Sequence, residues 1–377
     1  MPLKGCQFPE GLVDSGEQRV VMRTTDVYRE HLDAVASAYR NQSVLVTGGA
    51  SFISSHLVEE LVHLGANVRV TDDLSSGKLE HLADVAEDVE VIVGDLRDPK
   101  VSKQSVSGID IVFHMAADHG GRGYIDTHPV ECLGNMALDH MVMSSAAQAG
   151  ASKIIHASSA CAYPIGLQAD ADDRGLLSEE QAGFDVPGQA FADGAYGWAK
   201  IMGEYQLAQV ARQFGLAGVS CRIFTAYGER ENESHAAVAL MAKAHRRLDP
   251  FPVWGDGTQT RNFTHVADTA TGLVLSGAKL AGPGDFDVIN VGTDQHYTIN
   301  QLMDEIFAVA GWTPAEIDRQ LDKPVGVKSR AADCTKSLEL LGWKPSISLA
   351  DGVRRTYEWY AATQSVEGSL DDLLMSR

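Results

Sequence analysis

Cysteine is scarce in this chain of 377 residues, and its five cysteines, Cys6, Cys132, Cys161, Cys221 and Cys334, stand far apart. Because their number is odd and no CxxC or CxxH pair occurs, the sequence predicts neither a disulfide framework nor a zinc site. Cysteines that are not expected to form disulfides are typical of proteins in a reducing compartment. We therefore expect a cytoplasmic protein that binds no metal.

Positive charge is also scarce. The chain has 31 basic and 51 acidic residues, a formal net charge of -20. A field of that sign repels nucleic acids and anionic membranes, so we expect neither as a partner. A phosphorylated ligand would instead need a local cluster of arginines.

Long apolar runs are missing as well. No stretch approaches the roughly 18 apolar residues of a membrane-spanning helix. The N-terminal MPLKGCQFPEGLVDSGEQ has no apolar run behind a basic start, so we expect no signal peptide.

Apolar runs alternate with helical patterns from Ser43 onward. SVLVTGG, ANVRVTDDL, VEVIVGDL, IDIVFHMAA and SKIIHASSA read as strands, and SFISSHLVEELVHLG reads as an amphipathic helix. This order predicts an α/β fold of the Rossmann type, a doubly wound parallel sheet with helices on both faces. Strands covered on both faces read as continuous apolar runs, as these do.

The same texture suggests how the chain is divided. Residues 1–42 form an N-terminal arm, in which Val27, Leu32, Val35 and Tyr39 follow a helical period. We expect this helix to pack on the body, with an oligomer or lid contact as the alternative. Residues 43–220 form the dinucleotide-binding domain, with a return segment near 263–290. Residues 221–365 form mainly a smaller α/β substrate-binding lobe, and 366–377 form a tail.

The turn after the first strand has the position of a phosphate-binding loop. Such a loop places glycines at intervals of three, and here Gly48 is followed by Ser51 and Ser54 at the next two positions. Serine is small, and its hydroxyl can bind phosphate. We therefore expect the loop to retain phosphate binding although its glycine pattern is altered. Free N–H groups at the following helix start would bind a pyrophosphate. The predicted contacts are Gly48, Ser51, Phe52 and Ile53.

The ends of the next two strands complete this prediction. Asp72 ends the second strand, 24 residues after Gly48. A carboxylate there accepts hydrogen bonds from both ribose hydroxyls and repels a 2′-phosphate, which favours NAD over NADP. Asp95 and Leu96 end the third strand and are expected near the adenine.

A YxxxK pair, Tyr196 and Lys200, lies in AYGWAK. On a helix the two residues are one turn apart on one face. We expect the Lys200 cation to lower the pKa of Tyr196, whose phenolate then accepts a hydroxyl proton while hydride leaves the same carbon. Ser159 ends an apolar strand in the chain order that places it opposite this helix.

Taken together, these motifs resemble the extended short-chain dehydrogenase/reductases that modify nucleotide sugars, and within them the GDP-mannose 3,5-epimerases. The resemblance covers about residues 43–360. Its carriers are AADHGGRGYI, SSACAYP, AYGWAK, WGDGTQTRNFT and GVKSRAAD. It implies an NAD-dependent enzyme with a Rossmann domain, a small lobe and usually a homodimer. It also implies that Ala116 and Asn135 contact the cofactor.

Inversion of a sugar carbon needs a base on one face and an acid on the other, after oxidation at C4 has made the C3 and C5 hydrogens acidic. In the resembled family a cysteine matching Cys161 is one of this pair, and a lysine is the other. Aligning AAVALMAKA with the family helix puts His235 at the lysine position. Histidine titrates near neutrality, so His235 is a candidate acid or base.

The resemblance also assigns the nucleotide-diphosphate sugar. Arg261 and Arg330 match arginines that hold the pyrophosphate, a role that suits bidentate guanidinium groups. Gly121 and Arg122 match residues near the sugar. Two departures stand out, because Thr225 and Glu229 replace the family's Asn and Pro around the Tyr227-Gly228 turn. They leave the base and the sugar pose open.

Three alternatives remain at this point. A simple 4-epimerase needs only Ser159, Tyr196 and Lys200. A 4,6-dehydratase would need an Asp-Glu pair where this chain has Ala160-Cys161. A non-catalytic NAD-binding regulator would suit the two serines in the loop, but it would have no use for a complete hydride-transfer set.

Overall fold

A computed structural model of the chain describes residues 23–170, 172 and 174–363. Most of the predicted arm, residues 1–22, and the predicted tail, 366–377, lie outside the described residues, as does Cys6. Among the described helices none is both long and apolar enough to cross a bilayer.

The strands are short, and most follow one another through a helix. Their bounds are β1 Ser43–Thr47, β2 Asn67–Asp72, β3 Val89–Val93, β4 Ile111–His114, β5 Lys153–Ser159, β6 Ala217–Ile223, β7 Ala226–Tyr227, β8 Phe251–Trp254, β9 Thr260–Arg261, β10 Thr264–His265, β11 Phe286–Val291, β12 Tyr297–Thr298 and β13 Ile317–Gln320.

The α-helices differ widely in length. Their bounds are α1 Arg29–Asp33, α2 Phe52–His63, α3 Pro99–Ser105, α4 Arg122–Thr127, α5 Pro129–Leu133, α6 Asn135–Ala149, α7 Gly194–Phe214, α8 Ala236–His245, α9 Val266–Lys279, α10 Ile299–Ala310, α11 Thr335–Leu341 and α12 Leu349–Thr363.

Seven strands form one parallel sheet in the order β3-β2-β1-β4-β5-β6-β11. The predicted doubly wound α/β fold is thereby confirmed, with all five predicted strands in it. Strand β11 and helix α9 return to this sheet from the C-terminal third of the chain. The strand order reverses beside β1, which has β2 on one side and β4 on the other. Ligands of such sheets bind at the carboxyl ends of the strands near this reversal.

Side chains of β1 show that both faces of the sheet are buried. Val44 and Val46 pack into a cluster that includes residues of α2 and α9, whereas Leu45 packs into another with residues of α6 and α7. All three are fully buried. This alternation follows from the two-residue period of a strand, and it explains the uninterrupted apolar sequence.

A smaller hydrophobic cluster forms the core of the lobe that covers the carboxyl ends of the strands. It joins α8, α10 and α12 to the strands β8 and β13, with Phe251 and Met241 fully buried at its centre. Helix α10 has a capping box, in which Thr298 accepts from the Gln301 N–H and the Gln301 side chain accepts from the Thr298 N–H.

The described part of the arm is not one helix. It forms a 3₁₀ turn at Thr24–Tyr28, then α1, then a second 3₁₀ turn at Ala36–Ala38. Leu32, Val35 and Tyr39 are buried against the body as predicted, but Val27 is 57% exposed. The prediction was wrong there because the tighter 3₁₀ winding turns position 27 outward and position 28 inward. Tyr28 is buried instead and hydrogen-bonds to Asp268 and Ser346.

Candidate active site

A cleft of about 1810 Å³ runs along the carboxyl ends of the sheet beneath the smaller lobe. Every residue that the sequence analysis singled out for a site lines it. These are Gly48, Ser51, Phe52, Ile53, Asp72, Asp95, Leu96, Ala116, Gly121, Arg122, Asn135, Ser159, Cys161, Tyr196, Lys200, His235, Arg261 and Arg330. One continuous cavity therefore joins the predicted cofactor, catalytic and sugar-nucleotide residues.

The turn between β1 and α2 has the geometry of a phosphate-binding loop. Gly48 has φ +63°, and a Cβ added there would lie 3.0 Å from the Ala116 Cα, so a side chain at this position is both strained and crowded. Ser51 is the N-cap of α2, and no side chain caps the helix start. The N–H groups at this end of a 12-residue helix are therefore available to an anion.

Asp72 holds the backbone around this loop. Its Oδ2 accepts the Ala50 N–H at 2.9 Å, and its Oδ1 accepts the Leu74 N–H at 2.8 Å. Burial raises the pKa of Asp72, and the two backbone N–H groups act against that rise. A carboxylate has about four acceptor sites, so these two bonds leave it capacity for ribose hydroxyls. Asp95, also expected near the nucleoside, is bound by Arg97 at 2.8 Å.

Asn135 shapes the floor of the cleft through the backbone. Its Oδ1 accepts the Asp118 N–H at 2.7 Å, and its Nδ2 donates to the Asp118 carbonyl at 2.8 Å. The side chain is 1% exposed, so both ends of its amide are used in this clamp. The residue thus fixes the segment that follows Ala116, and its amide retains a second N–H.

Tyr196 and Lys200 lie one turn apart on α7, as the sequence predicted. The Lys200 Nζ donates to the Ala157 carbonyl at 2.8 Å and lies 5.6 Å from the centre of the Tyr196 ring. The expected lowering of the tyrosine pKa is not found. Burial raises the pKa of Tyr196, and the nearby Cys161, Cys132 and Asp139 add to the rise. Burial also lowers the pKa of Lys200, against the effect of Asp139.

The two serines at the end of β5 point to different places. Ser158 is 3% exposed and hydrogen-bonds to Glu204 in the interior. Ser159 lines the cleft, and its Oγ accepts the Cys161 N–H at 3.1 Å. The short turn after the strand therefore brings Ser159 and Cys161 to the same wall of the cavity.

Three arginines converge beside Cys161. Arg122 donates to both oxygens of Asp193 at 3.1 Å, and Arg330 donates to one of them at 3.1 Å. In the described part of the chain, the acceptors of Arg261 are the backbone carbonyls of Thr260 and Val325. Burial, with Arg330 next, lowers the pKa of Arg261 to about 9. This concentration of positive charge forms a site for an anion with several oxygens.

His235 is the N-cap residue of α8 and lines the cleft, although its side chain caps no backbone N–H of the helix. Its ring stacks on His119 with a centroid distance of 6.1 Å, and its Nδ1 is 3.4 Å from Glu231 Oε1. A Cβ on Gly121 would lie 2.3 Å from the Ser234 carbonyl, so glycine permits this close approach. Burial and His119 lower the pKa of His235 to about 4, so the ring is neutral at pH 7 rather than titrating there.

The cleft residues that the sequence analysis missed include Lys78, His119, Asp193 and Glu231. Asp193 is 2% exposed, and it is the N-cap of α7. An aspartate just before a helical pattern is a capping signal that the sequence carried. Glu231 is 5% exposed, and burial raises its pKa well above the ordinary value. Nothing in the local sequence marks it.

A family model, sequence relatives and a solved structure that resemble this chain all belong to epimerases. The model of the NAD dependent epimerase/dehydratase family matches residues 44–292. A GDP-mannose 3,5-epimerase of Oryza sativa subsp. japonica is 30% identical over 326 residues, which are 84% of this chain and 81% of the relative. A putative UDP-glucose 4-epimerase of Methanocaldococcus jannaschii is 28% identical over 84% of this chain and 97% of the relative. The structure of a Thermotoga maritima UDP-glucose 4-epimerase with UDP-glucose superposes with a TM-score of 0.75, at 26% identity, over 85% of this chain and 99% of the other.

Proposed function

Since the chain belongs to the NAD-dependent epimerase/dehydratase family, we propose that it epimerises a nucleoside-diphosphate sugar through a 4-keto intermediate, with proton exchange at C3, C5 or both. The activity is therefore of the GDP-mannose 3,5-epimerase kind. One observation favours this activity over that of a 4-epimerase. Cys161 lies next to Ser159 on the cavity wall, and the Arg330 guanidinium donates to the Cys161 sulfur at 3.4 Å. A simple 4-epimerase has no need of a thiol there.

The residues around the β1–α2 turn suit NAD. The uncapped start of α2, with Ser51, Phe52 and Ile53, would hold the pyrophosphate, and Gly48 lets the backbone approach it. Asp72 would accept from the ribose hydroxyls, with Asp95 and Leu96 near the adenine. When bound, NAD supplies a reversible hydride acceptor. Its nicotinamide ring also carries a positive charge. That charge would act against the rise in pKa that burial causes at Tyr196.

Three residues would handle the oxidation at C4. The Tyr196 phenolate would take the proton of the sugar hydroxyl, Ser159 would orient that hydroxyl, and Lys200 would hold positive charge beneath the tyrosine. Burial excludes water from Lys200, which is 2% exposed. The same groups return the proton when the ketone is reduced, because each step is reversible.

Proton exchange at carbon would use the two walls of the cavity. Cys161 would remove the proton from one face, and the Arg330 guanidinium, which donates to its sulfur, would hold the side chain in place. His235 would act at the other face, where inversion requires a proton donor. Its neutral ring would give the carbon a proton from one nitrogen while the other nitrogen accepts a proton. Glu231, whose Oε1 is 3.4 Å from the His235 Nδ1 and whose pKa is raised by burial, is placed to supply that proton.

The arginine cluster would bind the diphosphate. Among the described residues Arg261 has no carboxylate partner, whereas Arg122 and Arg330 share the carboxylate of Asp193 and Arg122 also pairs with Asp126 at 2.8 Å. Three cations therefore face two carboxylates, and the cluster holds more positive than negative charge. A diphosphate balances that excess. Because the whole chain has a net charge of -20, this local cluster is what would attract an anionic substrate.

A paired assembly is also proposed. Trp198 and Tyr205 lie two turns apart on α7 and are 37% and 44% exposed, and Val130 and Leu133 on α5 are 75% and 38% exposed. Helix α5 packs on α7, so these side chains border one surface. Large apolar side chains so placed suit burial against a second copy, and sedimentation at several protein concentrations tests for a homodimer.

We also propose a reducing, cytoplasmic location. Cys132, Cys161, Cys221 and Cys334 are all free in the structure, which supports it. Retention of enzyme activity after complete thiol reduction, with loss after oxidation, tests it.

The function is tested by incubating the protein with GDP-mannose, UDP-glucose and related nucleotide sugars in deuterated water. Proton NMR then reports which carbons are inverted and which carry deuterium. Deuterium at C3 or C5 of an inverted sugar supports the proposal. Inversion at C4 without deuterium supports the 4-epimerase instead. No turnover with any sugar, together with tight NAD binding, supports the regulator.

A further inference from the structure

A buried carboxylate lies at the centre of the arginine cluster. Asp193 is 2% exposed, and it lines the same cleft as Arg122, Arg261 and Arg330. The Arg122 Nη1 donates to both Asp193 oxygens at 3.1 Å, and the Arg330 Nη2 donates to the Oδ2 at 3.1 Å. This carboxylate therefore holds two of the three guanidinium groups that we propose for the diphosphate.

The position of Asp193 in the chain would ordinarily give its side chain another task. The residue is the N-cap of α7, where an aspartate usually accepts a backbone N–H of the first helical turn. Within the described structure, the Asp193 side chain caps no such N–H, and its oxygens face the two arginines instead. The helix start thereby lacks a stabilising bond that its sequence could supply, and the carboxylate stays in the cleft.

The backbone fixes this carboxylate in place. The Asp193 N–H donates to the Cys161 carbonyl at 2.9 Å, and the Asp193 carbonyl accepts the Gly197 N–H at 3.2 Å. A Cβ on Gly197 would lie 2.2 Å from the Cys161 carbonyl oxygen, so the turn after β5 and the first turn of α7 are in close contact. Asp193 is thus held between two packed elements, whereas the arginines that it binds have long and rotatable side chains.

Arg330 uses every nitrogen of its guanidinium in these contacts. Its Nε donates to the Gln168 side chain, and its Nη1 donates to the Cys161 sulfur at 3.4 Å. Its Nη2 donates to Asp193, which is the carboxylate among the three partners. A phosphate oxygen that approaches Arg330 would therefore meet a guanidinium that is already paired with a negative charge.

Arg122 lies between two carboxylates of different exposure. Its Nη1 binds Asp193, and its Nη2 is 2.8 Å from the Asp126 Oδ1. The Asp126 side chain is 34% exposed, against 2% for Asp193. The Arg122 Cδ and the Arg261 Nη2 lie 3.2 Å and 3.3 Å from the point where a Cβ on Gly326 would be. The arginine that Asp193 holds is thus a neighbour of Arg261, for which no carboxylate partner is described.

From these contacts we propose that Asp193 is a positioning residue that limits the affinity of the site for the diphosphate. It holds Arg122 and Arg330 in the structure, and it competes with the phosphate oxygens for the same donors when a nucleotide sugar binds. Substrate and epimerised product carry the same diphosphate, so tighter binding of this group would slow product release without assisting the reaction. The inference rests on the arginine cluster binding the diphosphate as proposed above.

Asp193→Asn tests this role, because it removes the charge and retains the size of the side chain and an N-cap residue. We expect GDP and UDP to bind the NAD-bound variant about tenfold more tightly than the wild type, since the cluster then has one more positive charge in excess. Isothermal titration calorimetry measures both affinities. If Asp193 only kept the arginines in place, the same change would weaken binding. With a sugar that is turned over, KM and kcat should both fall.

Asp126→Asn is the matched control. It removes a carboxylate from the same arginine, but this carboxylate is exposed and screened by solvent. We expect the affinities of this variant for GDP and UDP to stay within about twofold of the wild-type values. Asp193→Ser loses the same charge and also suits an N-cap, so it replaces the asparagine variant if that one does not fold.

Weaker or unchanged nucleotide binding in the Asp193 variant would overturn the proposal. So would an equal gain in Asp126→Asn, because the loss of any nearby negative charge would then have the same effect. If GDP and UDP bind neither the wild type nor the variant, there is no diphosphate for Asp193 to oppose, and the proposal fails as well. These titrations need no turnover. The expected gain in a protein that epimerises no nucleotide sugar would uphold the role of Asp193 and refute the proposed function.

Discussion

The Arg330 Nη1 lies 3.4 Å from the Cys161 Sγ, and the Nη2 of the same guanidinium binds the Asp193 Oδ2 at 3.1 Å. One cation therefore links the thiol on the catalytic wall to the carboxylate that organises the arginine cluster. The contact places a guanidinium beside the sulfur that we propose as the base. It also couples that base to the part of the cavity where the diphosphate is proposed to bind.

We expect Cys161→Ala to stop deuterium entry at C3 and C5 while leaving reversible oxidation at C4 largely intact, because Ser159, Tyr196 and Lys200 are unchanged. Cys161→Ser should be nearly as poor, since a hydroxyl is a much weaker base than a thiolate near neutral pH. Proton NMR follows the label, and NADH absorbance follows oxidation. Cys221→Ala, at a fully buried cysteine in β6, is the control and should keep the exchange. Wild-type exchange rates in Cys161→Ala would leave the thiol with a structural role only.

Tyr196→Phe should bind NAD as the wild type does and lose nearly all turnover. The phenylalanine retains the ring on α7 and removes the group that takes the hydroxyl proton, and general acid–base contributions are on the order of 10²–10⁴-fold. Steady-state rates and a cofactor titration measure the two effects separately. Activity within about threefold of wild type would mean that another group takes the proton.

NAD should bind much more tightly than NADP. Asp72 is 4% exposed at the end of β2, with Asp73 beside it, and a 2′-phosphate there would meet two carboxylates. Calorimetric titration of the apoprotein with each cofactor measures the difference. The Asp72→Asn variant keeps an oxygen for one of the two backbone N–H groups. It should show a smaller difference in affinity between NAD and NADP. Equal affinity of the wild type for both cofactors would show that Asp72 does not meet the ribose.

Acid should destabilise the protein through His56. This side chain on α2 is 2% exposed and donates from Nε2 to the Glu229 carbonyl at 3.0 Å. Burial, with Arg230 next, lowers the pKa of His56 to about 3. The unfolded chain, with an ordinary pKa of about 6.5, binds more protons between these values, so this contribution is complete above pH 6.5 and is lost as the pH falls towards 3.

We therefore expect the free energy of unfolding to fall by about 1 kcal/mol per pH unit on account of His56 alone within that window. His56→Gln keeps a donor for Glu229 and cannot be charged, so its urea denaturation midpoint should depend less on pH. His140→Gln, at an exposed position on α6, should behave as the wild type does. Equal pH dependence of all three proteins would exclude His56 as the cause.

Sequence periodicity and motif spacing predicted most of what positions the cleft. The strands of the sheet are apolar on both faces, and Tyr196 and Lys200 have helical spacing, so these features are local and appear in the sequence. The arm shows the limit of such patterns. Whether position 27 or 28 is buried depends on a 3₁₀ turn, and that turn is stabilised by contacts of Tyr28 with Asp268 and Ser346, far away in the chain.

The residues that the sequence analysis missed also depend on packing between distant parts of the chain. Asp139 lies 25 residues from His114 and 17 from His156, and its contacts with them form only when three elements pack together. Asp193 is 137 residues from Arg330. The pKa values were beyond the sequence for a related reason. The expected lowering of the Tyr196 pKa considered the Lys200 charge alone, whereas the folded protein adds burial and the Asp139 carboxylate.

Wild-type turnover in deuterated water tests the central claim most directly. The enzyme, with its bound NAD, is incubated with each nucleotide sugar, and proton NMR locates both inversion and label. The account predicts an epimerised sugar with deuterium at C3, C5 or both, because Cys161 exchanges its proton with solvent. An inverted product without deuterium at either carbon would contradict it, since the hydride would then have returned from NADH to C4 alone.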